Sequence, residues 1–250
     1  ARLTRFERAN ILNQAAAEVR SRTAEIAALI TAESGLCLKD STYEAGRVAD
    51  VLIENYKVGQ LARYGLDAES LKAVNPRLIY CSITGFGQTG PYRKRAGYDF
   101  VVQAMGGLMS ITGEREDLPG GGPQRVGVPI IDLTTGMYAS IAVCAAIAHR
   151  AVTGKGQWID VALLDSSVAF LANQAMNYFA TGESPKGIGN AHPNIVPYQT
   201  FKTSDGALIL ACGNDNLFNK FCDVAQAPHL AKDPRFCTNG ERVKNRDEIT

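Results

Sequence analysis

The segment Gln157–Phe170, QWIDVALLDSSVAF, constrains the fold more than any other stretch. Trp158, Asp160 and Ala162 alternate with Ile159, Val161 and Leu163, the period-two pattern of a β-strand. From Asp165 or Ser166 to Phe179 the apolar residues Val168, Leu171, Ala175 and Phe179 recur about every three or four positions, the period of a helix. Asp165 is therefore expected where a strand hands over to a helix. A carboxylate there meets free backbone N–H groups and the positive end of the helix dipole, and both favour its ionised form. Two readings follow. Asp165, with Ser166 and Ser167, caps the helix, since Asp is a preferred cap. Or it is an ionised carboxylate able to act as a nucleophile.

A strand needs partners, and two other stretches supply them. Val51–Glu54 is short and apolar, and Leu78–Thr84, LIYCSIT, is rich in β-formers. Between them the sequence predicts a helix over Gly59–Tyr64. A second runs from Asp67, a capping residue, to Val74, where Asn75-Pro76 ends it. Strand, helix, strand at this spacing predicts an α/β unit with a parallel sheet.

The second strand opens into GFGQTGPYRKRAGYD. Gly85, Gly87, Gly90 and Gly97 let a backbone approach a ligand closely, and Arg93, Lys94 and Arg95 attract phosphates. Lys57 and Arg63 flank the end of the earlier strand. Ligands of open α/β sheets bind beyond the carboxyl ends of the strands, so a phosphorylated ligand is expected here. A solvated basic turn accounts for the loop alone about as well.

Further along, Asp99–Met109 reads as a short helix and Thr112–Pro129 as a long loop, of the kind that is often functional or mobile. Asp132 opens a long apolar helix, Met137–Ala151, ending at Gly154. It is apolar nearly all round and so is expected to be buried. His149 reads as a polar end residue. Val196–Lys202 and Ala207–Cys212 read as a β-hairpin, and Asp215–Ala225 as a helix. Residues 1–49 read as helical, from Ile11, Ala15, Val19, Ile26, Leu29 and Ile30, with a break at Gly35. A second helix is expected from about Ser41, capped by Asp40 or Ser41. Cys37 there reads as a plain cysteine.

The net charge of +1 gives no reason to expect nucleic acid as a partner. The six cysteines form no CxxC pair and the three histidines are dispersed, so no metal is expected and a reducing, cytoplasmic setting fits. The longest apolar run, Ile141–Ala148, is too short to span a bilayer, and no signal peptide is recognisable, so no membrane association is expected.

Six segments in order, ADVLIENYKVGQLARYGLD, NPRLIYCSITGFGQTGPY, RAGYDFVVQAMGGLMSITG, IIDLTTGMYASIAV, TGKGQWIDVALLDSSVAFL and GNAHPNIVPYQTFKTSDG, resemble class III (CaiB/BaiF-type, formyl-CoA transferase-like) coenzyme A transferases over about residues 50–250. The resemblance implies an α/β chain with an incomplete, Rossmann-like parallel-sheet domain (residues 50–180) and the start of a smaller α+β domain (181–250). It implies acyl-CoA and a carboxylic acid as substrates, and a homodimer. It implies that Asp165 is the catalytic nucleophile, forming an aspartyl anhydride and then an aspartyl-CoA thioester. By the same resemblance Asn55 and Tyr56 border the CoA site, and Arg63 and Arg95 meet its phosphates. Tyr98 and Asp99 fall in a motif near the active site. Gly187–Asn190 stands where other members carry a mobile glycine loop.

Residues 1–49 resemble the N-terminal helical segment of aldehyde dehydrogenases, without that family's catalytic Cys, general-base Glu or nucleotide-binding loop. The junction is expected at Val48–Leu52. The strand–helix unit that normally precedes ADVLIEN, and the family's C-terminal return to the first domain, are not found in this sequence. Two other readings are therefore carried: an inactive truncated or fused fragment that at most binds CoA weakly, and an aldehyde dehydrogenase fragment.

Overall fold

The computed structural model describes Gln14, Ala17, Glu18 and residues 20–34 and 50–250. The expected break at Gly35, the second helix from Ser41, Cys37 and most of the dehydrogenase-like stretch lie outside the described residues. What is described there includes helix α1, Thr23–Ser34. The described chain divides into two compact units, one taking in residues up to Gly107 together with Gly127–Ala172, the other Leu108–Val126 with Asn173–Thr250.

The first unit is built on three parallel strands: β1, Val51–Glu54, β2, Ile79–Thr84, and β3, Trp158–Ala162, in that spatial order. Val51 pairs with Ile79, and Tyr80 with Trp158. The connection from β1 to β2 runs through a single-turn helix, Leu61–Tyr64, and through α2, Ala68–Val74. As the sequence predicts, Asp67 caps α2, its carboxylate accepting a hydrogen bond from the Ser70 N–H at 3.0 Å. The connection from β2 to β3 runs through α3, Asp99–Met105, and α4, Ile130–Thr153. Parallel strands require such crossovers.

Asp99 joins α3 to α4. It is buried, and one carboxylate oxygen accepts from the Ile131 N–H at 2.8 Å, while the other accepts from the Gln103 side-chain amide at 2.6 Å. It thus satisfies an N-terminal amide of α4 that no helical carbonyl can reach. At the other end Gly154 takes the left-handed conformation (φ 73°) that ends a helix, as its place in the sequence predicts. Buried Arg150 donates to the carbonyls of Asp50 at 3.1 Å and Arg77 at 3.0 Å, tying α4 to the starts of the first two strands.

The core of this unit is Ile79 and Cys81 of β2 packed on Ala139, Val143 and Ala146 of α4, with Val51, Ile83, Ile159 and Val161 around them. The small residues on that face of α4 let the helix lie close to the sheet. The sequence expectation that α4 is buried all round does not hold. Leu133, Met137 and Ile141 are 54%, 65% and 64% exposed, because the sheet covers only one side of the helix. At 24 residues α4 is also longer than its apolar run suggests, and by length and composition it could cross a membrane; here its Ile131–Ala146 face packs against protein.

The strand-to-helix junction also differs from the sequence expectation. Helix α5 spans Leu163–Phe170, so it begins two residues before Asp165, and its cap position is Ala162. Strand β3 stops at Ala162 because its partner strand ends there, Thr84 pairing with Ala162. The Leu164 N–H then donates to the Gly85 carbonyl at 3.1 Å. The expected single helix to Phe179 is two: after α5 the chain breaks at Ala172, with φ 49°, and α6 spans Asn173–Thr181.

The second unit contains the antiparallel hairpin β4, Tyr198–Lys202, with β5, Ala207–Ala211, closed by the Thr203 N–H on the Gly206 carbonyl at 3.0 Å. Three further helices follow, α7, Asp215–Val224, α8, Asn239–Lys244, and α9, Arg246–Ile249. Their core is Cys212, Phe218, Cys222 and Phe236. Arg242 lies fully buried against the Phe218 ring and donates to the Val196 and Phe236 carbonyls and to Asp215, so its charge is fully engaged. The long loop of the sequence reading is compact here. The Gln124 N–H donates to the Met109 and Thr112 carbonyls, and the Gly189 N–H to Gly113. The Gly187–Asn190 segment thus packs on the Gly113–Glu114 backbone.

Candidate active site

The carboxyl ends of all three parallel strands open on one cleft of about 480 Å³ in the first unit. Asn55, Tyr56 and Lys57 enter it directly after β1. Thr84 and Gly85 enter it from the end of β2, and Leu163 just after β3. The N-terminal part of α4 contributes Asp132, Thr135 and Gly136.

The glycine loop closes the remaining side. Its two ends touch: a side-chain carbon on Gly85 would lie 2.5 Å from the Gly97 Cα, so neither position has room for one. The loop is also held by Asp160, whose carboxylate accepts from the Gln88 N–H at 2.8 Å. This closure brings Arg93, Arg95 and Tyr98 to the cleft. The Arg95 guanidinium stacks on the Tyr92 ring at 4.1 Å, which fixes its plane while leaving its N–H groups available. Among the described residues, Lys57, Arg93 and Arg95 are in no ion pair. Three unpaired cations in a concave site beyond parallel strands attract an anion.

Asp132 is the cleft's acid. Asp132 is largely exposed, yet its pKa lies above the ordinary carboxylate value, through partial desolvation by the cleft wall first and the nearby Asp99 charge second. Asp99 is committed to capping α4, which makes it a structural residue in this geometry, whereas its neighbour Tyr98 is 71% exposed and lines the cleft.

Asn55, Tyr56 and Arg95, singled out from sequence, come together in this cleft. Arg63 does not line it; it is exposed on the single-turn helix after β1. Asp165 lies in the first turn of α5, two residues past Leu163, and is exposed. It lines its own small hollow of about 220 Å³ with Tyr138, Asp160, Val161, Ala162, Ser166 and Ala169. Among the described residues no hydrogen bond or ion pair engages its carboxylate. In the first turn it still faces the positive end of the helix dipole. Arg93 and Lys57 were legible as cations beside strand ends. Asp132 and Thr135 were not singled out, since only the crossover geometry brings the start of α4 to the strand ends. No group of three or more His, Cys, Asp or Glu among the described residues could hold a metal ion.

Residues 46–250 match the family described as CoA-transferase family III. The chain belongs to that family. Among relatives, it is 54% identical over 203 residues to the succinate–glutarate CoA-transferase of Agrobacterium fabrum, covering 81% of this chain and 50% of that protein. It is 46% identical to the succinyl-CoA:glutarate CoA-transferase of Mus musculus, covering 82% of this chain and 46% of that protein. Among solved structures, a CAIB/BAIF family protein from Brucella suis matches at 59% identity and TM-score 0.66, covering 81% of this chain and 53% of that one. Rv3272 from M. tuberculosis matches at 31% identity and TM-score 0.68, covering 80% and 52%. This CoA-transferase family III chain thus spans about half the length of the curated relatives it matches.

Proposed function

We propose that this chain is the acyl-CoA-binding and nucleophile-bearing part of an enzyme that moves coenzyme A between carboxylic acids. The single observation that carries the reading is the convergence of Asn55, Tyr56 and Arg95, with two further cations, on one cleft at the carboxyl ends of β1, β2 and β3. Family membership supplies the chemistry; the cleft supplies a place for a polyanionic cofactor. Relatives named for succinate, glutarate and mesaconate favour a dicarboxylic acid as donor and acceptor.

In this reading the Asp165 carboxylate attacks the thioester carbon of acyl-CoA. The C–S bond breaks, CoA leaves as thiolate, and a mixed anhydride remains. The thiolate then attacks the aspartyl carbonyl and releases the donor acid as carboxylate, leaving an aspartyl-CoA thioester. The acceptor carboxylate attacks that thioester and frees the thiolate again, which takes the new acyl group and restores Asp165. Each step exchanges one activated acyl bond for another, so no step requires an external energy source. The exposed position of Asp165 in a helix's first turn leaves its carboxylate open to an incoming thioester. A homodimer, implied by the family resemblance, belongs to the same proposal.

Succinyl-CoA mixed with glutarate and the chain, followed by chromatography of the CoA esters, tests this directly. Formation of glutaryl-CoA is expected, with loss of at least a thousandfold in Asp165→Ala and CoA binding kept. A second reading, CoA binding without turnover, is favoured by one observation: Asp165 and the CoA-lining residues border different hollows. Under that reading the chain binds CoA and yields no glutaryl-CoA.

A further inference from the structure

Thr135 stands apart from the other Ser and Thr side chains of α4. Thr134 returns its hydroxyl to the Ile130 carbonyl at 2.9 Å, Ser140 to Gly136 at 2.8 Å, and Thr153 to His149 at 2.9 Å. These bonds to the preceding turn are the ordinary outlet for a helical hydroxyl. The Thr135 hydroxyl makes none. Thr135 is 1% exposed, and among the described residues its Oγ1 and the Arg246 Nη1 are the buried side-chain atoms without a hydrogen-bond partner. Thr135 also lines the cleft that holds Asn55, Tyr56 and Arg95.

A buried hydroxyl with no partner costs about 1–3 kcal/mol, so its presence calls for a use. The cleft's own make-up narrows that use. Arg93 and Arg95 lie exposed on the loop, where charged phosphates can stay partly hydrated. The Thr135 hydroxyl is shut away from solvent on α4, so a ligand atom reaches it only where the side chains over it shift on binding, and at such a buried place a charge would be expensive but a neutral carbonyl would not. We propose that the Thr135 hydroxyl is a specificity-determining contact, donating a hydrogen bond to a neutral carbonyl oxygen of the acyl-pantetheine arm. The inference rests on the proposed acyl-CoA reading and names the part of the ligand that the floor of the cleft recognises.

Calorimetric titration of the chain with coenzyme A and with adenosine 3′,5′-bisphosphate, which lacks the pantetheine arm, tests this. Thr135→Val keeps the side-chain shape and removes only the hydroxyl. Since that hydroxyl bonds to nothing in the protein, the variant is expected to melt at the same temperature or higher. It should bind coenzyme A about fivefold more weakly, the worth of one neutral hydrogen bond, and bind the bisphosphate unchanged. Thr135→Ser, which retains the hydroxyl, should restore coenzyme A binding. Equal coenzyme A affinity in Thr135→Val overturns the proposal, as does equal weakening of both ligands. If the unaltered chain binds neither ligand, the acyl-CoA reading itself fails, a result distinct from either.

Discussion

Gly85 and Gly97 meet backbone to backbone, and this contact closes the loop that carries Arg93 and Arg95 to the strand ends. A side-chain carbon on Gly85 would lie 2.5 Å from the Gly97 Cα, closer than carbon atoms can pack. The two glycines are needed here for space rather than for an unusual backbone angle.

Gly85→Ala is therefore expected to force the loop open. Overpacking of this kind typically costs about 1–3 kcal/mol. A lower melting temperature, together with weaker coenzyme A binding, is the expected pair of results. Gly90→Ala serves as a comparison with no steric conflict, since nothing lies within 4 Å of its side-chain position, although its φ of +81° still adds local strain. Its effect on binding should be the smaller of the two.

Arg95→Ala and Arg93→Ala should each weaken coenzyme A binding by about tenfold or more, as expected for charge-assisted hydrogen bonds to phosphate. The loss should shrink as salt rises, because these side chains are exposed and their charges are screened. Arg63, which does not line the cleft, should matter less when replaced by Ala. Titration at two ionic strengths checks all three variants; an Arg63→Ala loss larger than that of Arg95→Ala would place the phosphates elsewhere.

Asp132 gives a pH-dependent prediction. Its pKa is raised in the folded chain by partial desolvation in the cleft and by Asp99, so folding modestly favours its protonated form. Its contribution is favourable below the unfolded value, about 4, and becomes a penalty as pH rises through the folded value. Asp132→Asn removes the ionised form. The variant should melt higher than the unaltered chain at pH 7, and the difference should vanish near pH 3. Melting curves across that range are the check.

Much of the first unit was legible because its strands are local patterns of β-branched and apolar residues, and because Asp67 and Gly154 mark helix ends by chemistry that needs no tertiary context. The start of α5 was not legible. Leu163 and Leu164 suit strand and helix alike, and the decision falls to β2, whose last paired residue, Thr84, ends the ladder at Ala162. The half-exposure of α4 was hidden for a related reason: a helix apolar nearly all round carries no mark of which face the sheet takes, and its small residues, Ala139 and Ala146, turn inward while Met137 and Ile141 turn out. In the site, Asn55, Tyr56 and Arg95 follow strands directly and could be placed. Thr135 and Asp132 could not, since they arrive by a crossover of long sequence separation.

The central claim is that Asp165 takes part covalently in CoA transfer. The most direct test is to incubate the chain with succinyl-CoA, quench with hydroxylamine, and read the peptide containing Asp165 by mass spectrometry. An activated aspartyl group, whether anhydride or thioester, is expected to become a hydroxamate at Asp165 and at no other carboxylate. Glutaryl-CoA formation with Asp165 left unmodified, or turnover retained in Asp165→Ala, would contradict the account.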